Sequence, residues 1–233
     1  MIVSRHLPFV LLTISTLFIS ACGKDKPFAD DGIDVQEATK PGPSDPPYSN
    51  SVRYPSGLQL TLVGDTELTN SYPSPQSNPY GGARQAHYSR VAFFIDLSTT
   101  PVAQQIATNF RLLEYVGPVQ QRGFTRAYID PQVVHHAQEI RSGLGRALVV
   151  NSAYRSPEHN DAVGGATYSR HIYGDAVDID IDQSRPDANQ RAQELFNEAQ
   201  DVGVDFVLPL AETSIDVNGE QRVSWVHLDD RGF

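Results

Sequence analysis

The pattern that most constrains the fold is a short stretch in which apolar and acidic residues alternate. Residues 176–182 read Ala-Val-Asp-Ile-Asp-Ile-Asp. Successive side chains of a β-strand point to opposite faces, so one face of this stretch is aliphatic and the other is acidic beyond Ala176. The alternation predicts a strand that buries its aliphatic face in a core and turns Asp178 toward a cleft.

A second period-two stretch lies near the end of the chain. In residues 223–229, Trp225, His227 and Asp229 share one strand face, opposite Val226 and Leu228. Two adjacent strands of these kinds would supply a carboxylate and an imidazole to one cleft. Upstream, Gly174 permits a tight turn in the backbone. Such a turn would bring His171 beside Asp178.

The remaining pattern favours an α+β fold with a small antiparallel sheet and flanking helices, because helices and strands occur in blocks. Asp130 and Pro131 are typical of a helix start, and Gly143 and Gly145 of its end. Further segments are a strand over 148–150, a helix over 186–202, a strand over 206–210 and a hairpin over 215–228 that turns at Asn218-Gly219. Strands over 59–63 and 91–95 indicate a short N-terminal β region, residues 51–97, whose role the sequence does not reveal.

Charge and cysteine content exclude several classes of protein. The formal net charge is −10 and there is no run of Lys or Arg, so nucleic acid is not an expected partner. Cys22 is the single cysteine of the sequence, which rules out an internal disulfide and a cysteine-based zinc site. Any metal must therefore be bound by His, Asp or Glu.

Residues 1–21 are expected to be a secretory signal peptide, with Arg5 ahead of an apolar stretch over 7–19. Ile19-Ser20-Ala21-Cys22 resembles a bacterial lipobox, which implies a diacylated Cys22, membrane anchoring and a place in the cell envelope. Gly23 favours the outer membrane, facing the periplasm, if the host is Gram-negative. The alternative is a plain cleaved signal with an incidental Cys22. Residues 22–50, rich in Pro, Gly, Ser and Asp, are expected to form a flexible tether.

The most informative motif is Ser169-x-His171-x-x-Gly174-x-Ala176-x-Asp178. Three further segments accompany it: Tyr-Arg-Ser-Pro at 154–157 with Asn160, Val-Gly-Gly-Ala at 163–166, and Trp-Val-His-Leu-Asp at 225–229. Together they resemble the zinc D-Ala-D-Ala carboxypeptidase family, part of the lysostaphin, D-Ala-D-Ala metallopeptidase and hedgehog fold group. The resemblance runs from about residue 109 to the C-terminus, within a zinc peptidase-like domain expected over 98–233.

The resemblance implies one Zn²⁺ ion held by His171, Asp178 and His227, and a substrate among peptidoglycan peptides. It also implies that Arg155 binds a substrate carboxylate or developing negative charge, with a surface salt bridge to Glu158 as the alternative. Ser169 is expected to orient the loop or a ligand.

These residues also allow other interpretations. An Asp-x-Asp-x-Asp run is compatible with calcium, but positions six and twelve, counted from Asp178, are Gln183 and Asn189, where an EF-hand requires Gly and Glu. Taken singly, His171 and His227 are ordinary polar histidines. The adjacent His135 and His136 are expected on a solvated helix face. The sequence identifies no partner for His87 or His159, and His159 is expected at the surface, with a place lining the cleft as the alternative.

One position departs from the family pattern. Many relatives carry Glu or Asp as general base three residues before the last histidine, where this chain has Ser224. Asp229 is the first substitute expected, ahead of Asp180, Asp216 and Glu220. Two functions follow: a zinc metallopeptidase of carboxypeptidase or endopeptidase type, or a non-catalytic zinc-containing module that binds cell-wall peptides.

Overall fold

The computed structural model describes residues 50–79 and 81–232. The expected signal peptide, Cys22 and all of the expected tether except residue 50 lie outside these residues. Within them, no helix combines the length and the apolar composition that crossing a bilayer requires.

The fold is α+β, as the sequence predicts. The strands are β1 Ser51–Arg53, β2 Gln59–Thr61, β3 Val63–Gly64, β4 Phe93–Asp96, β5 Gln105–Ala107, β6 Phe110–Arg111, β7 Arg126–Ala127, β8 Val150–Ser152, β9 Ala176–Asp180, β10 Phe206–Val207, β11 Ser214–Val217, β12 Glu220–Val223 and β13 Trp225–Asp229. The helices are α1 Thr66–Ser71, α2 Leu112–Gln121, α3 Pro131–Leu144, α4 Pro157–Ala162, α5 Arg170–Tyr173 and α6 Ala188–Asp201, with 3₁₀ turns at Pro75–Ser77, Gly82–Tyr88 and Leu210–Thr213.

A four-stranded antiparallel sheet in the order β10-β13-β9-β8 organises the C-terminal part. The alternation seen in the sequence decides its two faces. Val177 and Ile179 of β9 and Val226 and Leu228 of β13 are at most 1% exposed. Helix α6 packs near β10 and β13 and also against α3. The other face of the sheet carries the polar side chains of β9 and β13.

Local chemistry explains the ends of α3. The Asp130 carboxylate accepts a hydrogen bond from the Gln132 amide at 2.8 Å, and Pro131 occupies the first turn. Gly145 ends the helix in the left-handed conformation at φ +59°. The start agrees with the prediction, while at the other end Gly143 lies inside the helix and Gly145 just beyond it.

The C-terminal hairpin differs from the prediction in how its second arm is used. Strands β11 and β12 pair around Asn218 and Gly219, both at positive φ. The chain leaves this pairing at Ser224, whose amide donates to the Thr213 carbonyl at 2.9 Å. It then enters the central sheet as β13, so the period-two run over 223–229 belongs to two sheets.

Residues 51–97 contribute strands β1 to β4, helix α1 and two 3₁₀ turns. Strand β4 pairs with β3 and, through Ile95 opposite Ala127, with β7. Phe94 and Ile95 are fully buried in the same apolar core that contains Val177. This region is therefore packed and hydrogen-bonded to the part of the chain that carries the family-like motifs.

Candidate metal centre

Asp178 and His227 meet because their strands are neighbours in register. In the antiparallel pair β9–β13, His227 lies directly opposite Asp178. The Nδ1 atom of His227 is 2.7 Å from Oδ1 of Asp178. The two period-two patterns thus bring an imidazole and a carboxylate together on the polar face of the sheet.

His171 reaches the same carboxylate from α5, a helix of four residues. Its Nε2 atom is 3.2 Å from Oδ2 of Asp178. Gly174 ends α5 at φ +77°, and a Cβ atom there would lie 2.2 Å from the backbone oxygen of Tyr128. Glycine is therefore required at 174 both for its backbone conformation and for the close approach of another segment.

His171, Asp178 and His227 form a group able to hold a metal ion, with one ligand atom from each within 4.8 Å of the others. Outer contacts orient both rings. Nδ1 of His171 lies 2.7 Å from the Ala153 carbonyl, and a carbonyl can only accept, so this nitrogen carries the proton and leaves Nε2 facing Asp178. Nε2 of His227 is 3.1 Å from Oδ2 of Asp229, which leaves Nδ1 facing Asp178. Such outer hydrogen bonds are typical of metal-binding histidines, so the donor set fits a divalent transition metal.

The electrostatics of the cluster put two of its three side chains in the protonation states that bind a metal. Burial raises the pKa of Asp178, but its contacts with His171 and His227 outweigh this and hold the pKa well below the usual range. Burial lowers the pKa of His171, whose imidazole is therefore neutral near pH 7. Burial also lowers the pKa of His227, but hydrogen bonds to Asp178 and Asp229 dominate and raise it to about 9. Asp178 is thus an anion and His171 is neutral, which are the forms that bind a metal. His227 carries an additional proton, which a metal would displace.

Arg155 stands beside the cluster. Its Nη2 atom is 3.3 Å from Oδ2 of Asp178, and its Nε donates to Oγ of Ser152 at 3.0 Å. Its amide donates to the carbonyl of His171 at 3.1 Å. The side chain of Arg155 is 19% exposed, so part of it is open to a bound molecule. The partner of Arg155 is thus a predicted metal ligand, and not the surface residue Glu158 considered from the sequence.

Ser169 precedes α5 as its N-cap residue, without a side-chain capping bond. Its carbonyl accepts from the Ile172 amide at 3.2 Å, and its amide donates to the Ala166 carbonyl at 2.9 Å. The hydrogen bonds that Ser169 makes around α5 are therefore backbone contacts that begin the turn carrying His171.

Asp229 lies on the side of the His227 ring away from Asp178. It is fully buried, and Arg231 binds it through two hydrogen bonds, one of them 2.6 Å from Nε to Oδ1. Burial raises the pKa of Asp229, but the contacts with Arg231 and His227 hold it below the usual range. This placement differs from the one expected of a general base, because a base must reach the attacking water, directly or through one further water.

The other candidates for a base lie elsewhere. Asp180 is exposed on β9 opposite Trp225. Asp216 and Glu220 belong to the β11–β12 hairpin, where Asp216 accepts from the Gly219 amide and Glu220 pairs with Arg222. None of the three belongs to the metal-binding group found among the described residues.

Two histidines expected at the surface are buried. His136 is 7% exposed, and its Nδ1 lies 2.8 Å from Oδ1 of the buried Asp230, while its neighbour His135 is exposed as predicted. His159 is 5% exposed and stacks on Phe124, with ring centroids 6.4 Å apart. The sequence shows that these residues are polar, but it does not show which distant residue covers them.

Comparison with known proteins supports the resemblance drawn from the motifs. The family model described as Peptidase M15 matches residues 109–205, a segment that contains Arg155, His171 and Asp178. His227 lies beyond the match and joins the group through the β9–β13 pairing. No curated protein matches the chain. Residues 109–205 of the chain are therefore similar to the peptidase M15 family.

Proposed function

We propose that the protein is a zinc-dependent peptidase that hydrolyses peptide bonds in the stem peptides or cross-links of peptidoglycan. The observation that carries this proposal is the convergence of His171, Asp178 and His227 in a chain with a peptidase M15 segment. Zinc would be held by Nε2 of His171, the carboxylate of Asp178 and Nδ1 of His227. Three protein ligands leave a coordination position open, as catalytic zinc requires.

When bound, zinc supplies a water of lowered pKa and polarises the scissile carbonyl. The chain itself supplies the arrangement of the ligands. Ala153 fixes the His171 ring through its carbonyl, and Asp229, held by Arg231, fixes the ring of His227. We infer that Asp229 acts through His227 as a positioning residue, since its carboxylate is buried and doubly bound by Arg231.

Arg155 is proposed to bind negative charge on the substrate, because its side chain is partly exposed and its planar guanidinium adjoins the ligand cluster. Arg155→Ala is expected to lower kcat/KM by about 10- to 100-fold, the range of a lost hydrogen bond to a charged group, while zinc stays bound. Arg155→Lys should recover a fraction of the loss, since lysine restores the positive charge but not the paired N–H donors of the planar guanidinium. Steady-state kinetics on a defined peptide, with zinc content measured in parallel, checks this. An Arg155→Ala variant with wild-type kinetics would exclude the role.

A second function is favoured by Ser224, which stands where many relatives have an acidic residue. Serine is not a competent base at neutral pH, and the backbone of Ser224 is used structurally: its amide donates to the Thr213 carbonyl and its carbonyl accepts from the Ile181 amide. A zinc-containing module that binds cell-wall peptides without cutting them would need no base. Chelators separate the two functions, because only an enzyme has turnover to inhibit.

The experiment that tests the proposal is mass spectrometry of purified muropeptides incubated with the zinc-loaded protein. We expect new fragments whose masses identify the bond cut, their loss on adding a chelator and their return on adding zinc. A matched incubation of chelated protein corrects for contaminating hydrolases. Absence of fragments from a protein shown to contain zinc would contradict the peptidase and favour the binding module.

Anchoring in the cell envelope through a lipidated Cys22 is a proposal that rests on the sequence alone. The lipobox-like Ile-Ser-Ala-Cys at 19–22 and the Pro-rich segment that follows support it. Two or more acyl chains give stable attachment, which would keep a peptidase close to its wall substrate.

A further inference from the structure

The helix that carries His171 is held on both flanks by residues that precede the family match. The hydroxyl of Tyr72 donates to the carbonyl of Ile172 at 2.8 Å. On the other flank, Nη1 of Arg170 donates to the carbonyl of His87 at 2.8 Å. The two neighbours of this metal ligand are therefore both bound to residues from the N-terminal β region, for which the sequence indicated no role.

The Tyr72 hydroxyl has a second contact that also leads to His171. It lies 3.2 Å from the hydroxyl of Tyr154, and both side chains are at most 2% exposed. Tyr154 stands between Ala153, whose carbonyl is 2.7 Å from Nδ1 of His171, and Arg155, whose amide donates to the His171 carbonyl. One buried hydroxyl thus joins α5 to the backbone segment that fixes the ring of His171.

External support is needed here because α5 is so short. It has four residues, whereas isolated helices under about 12 residues are marginal in water. Ring packing adds to the hydrogen bonds: Tyr173 of α5 lies 5.8 Å from Tyr72 and 5.7 Å from Tyr88, measured between centroids. Most of the order of α5 must therefore come from these tertiary contacts.

We propose that Tyr72 is a positioning residue for the metal centre: its hydroxyl fixes α5 against the Tyr154 segment and so sets the place of His171. This inference rests on the proposed metal site, and it assigns a task to the N-terminal β region. Without the hydroxyl, the Ile172 carbonyl and the Tyr154 hydroxyl lose a buried partner. His171 would then sample positions away from Asp178, and metal affinity would fall although every ligand is present.

The test compares Tyr72→Phe with Tyr54→Phe. Tyr54 is also 2% exposed, and its hydroxyl donates to a backbone carbonyl, that of Ile129, at 3.2 Å. Each change therefore removes one buried hydroxyl from the N-terminal β region. We expect Tyr72→Phe to weaken zinc affinity by about tenfold, at the lower end of the effect of outer contacts, and Tyr54→Phe to leave it close to wild type. Competition with a chromophoric chelator measures both.

Hydrogen exchange on the metal-free protein gives a second readout that needs neither zinc nor substrate. The amides of Arg155 and Gly174 both donate to the carbonyl of His171, at 3.1 and 3.3 Å. They should exchange faster in Tyr72→Phe than in the wild type or in Tyr54→Phe. If Tyr72→Phe fails to fold, Tyr154→Phe removes the other hydroxyl of the Tyr72–Tyr154 contact. It should give a smaller loss of zinc affinity and a smaller increase in exchange.

Wild-type zinc affinity and wild-type exchange in Tyr72→Phe would overturn the proposal. Equal losses in Tyr72→Phe and Tyr54→Phe would overturn it too, because they would reflect general destabilisation. The result is separable from the proposed function: a wild-type protein that binds zinc but cuts no muropeptide would refute the peptidase and leave the positioning role standing on affinity and exchange.

Discussion

Replacing His171 with alanine is expected to abolish both zinc binding and peptide cleavage. His171 would supply one of the three proposed ligand atoms, and two protein ligands are fewer than a catalytic zinc site uses. Loss of an outer contact alone typically costs about 10- to 100-fold in affinity, so loss of a ligand must cost more. Zinc content after dialysis and cleavage of muropeptides measure the two losses in one preparation.

The matched control is His135→Ala, which makes the same substitution at an exposed histidine of α3. It should keep both zinc and activity. Because His171 is only 3% exposed, circular dichroism must show that His171→Ala is folded before its zinc content is interpreted. A folded His171→Ala variant with full zinc content and full activity would exclude His171 as a ligand and end the proposed mechanism.

The part of this centre that sequence predicts best is the part built from local patterns. Period-two alternation in residues 176–182 and 223–229 fixes which side chains share a face, and an antiparallel pairing then sets His227 opposite Asp178. The same holds for α3, since Asp130 and Gly145 act within their own turns. Such features need no knowledge of distant segments.

Features that depend on contacts between distant segments are the ones that sequence misses. His136 pairs with Asp230, 94 residues away, so its burial is invisible in the helical pattern of α3. Asp229 shares a strand face with His227, but its role depends on which ring nitrogen it meets and on Arg231. The contact of Tyr72 with Ile172 spans 100 residues. Each of these is decided by packing that no local periodicity encodes.

A buried ion pair between α5 and the residue just before β9 carries the largest expected effect on stability. Arg170 and Asp175 are 6% and 5% exposed and join through two hydrogen bonds, one of them 3.1 Å from Nε to Oδ1. The Arg170 guanidinium also lies over the rings of Tyr88 and Tyr173, at 5.1 and 4.7 Å. Removing one partner of such a pair leaves an uncompensated buried charge.

Asp175→Ala is therefore expected to lower the free energy of unfolding by about 3–5 kcal/mol. In a chain of this size, that corresponds to a fall in Tm of roughly 10 °C. Urea denaturation in the presence of a chelator measures it without the stabilisation that a bound metal adds. Arg170→Met in the same chain should recover part of the loss, because the double variant no longer buries a lone charge.

The control is Asp187→Ala, which removes the carboxylate of the exposed pair with Arg185. Both side chains of that pair are in contact with solvent, so little change in stability is expected. Equal effects of Asp175→Ala and Asp187→Ala would mean that the buried pair contributes no more than the surface one. A larger loss in Asp175→Ala, with partial recovery by Arg170→Met, would identify the desolvated guanidinium beside His171 as the cause. The fold would then depend on charge compensation at the residue that precedes the proposed metal ligand His171.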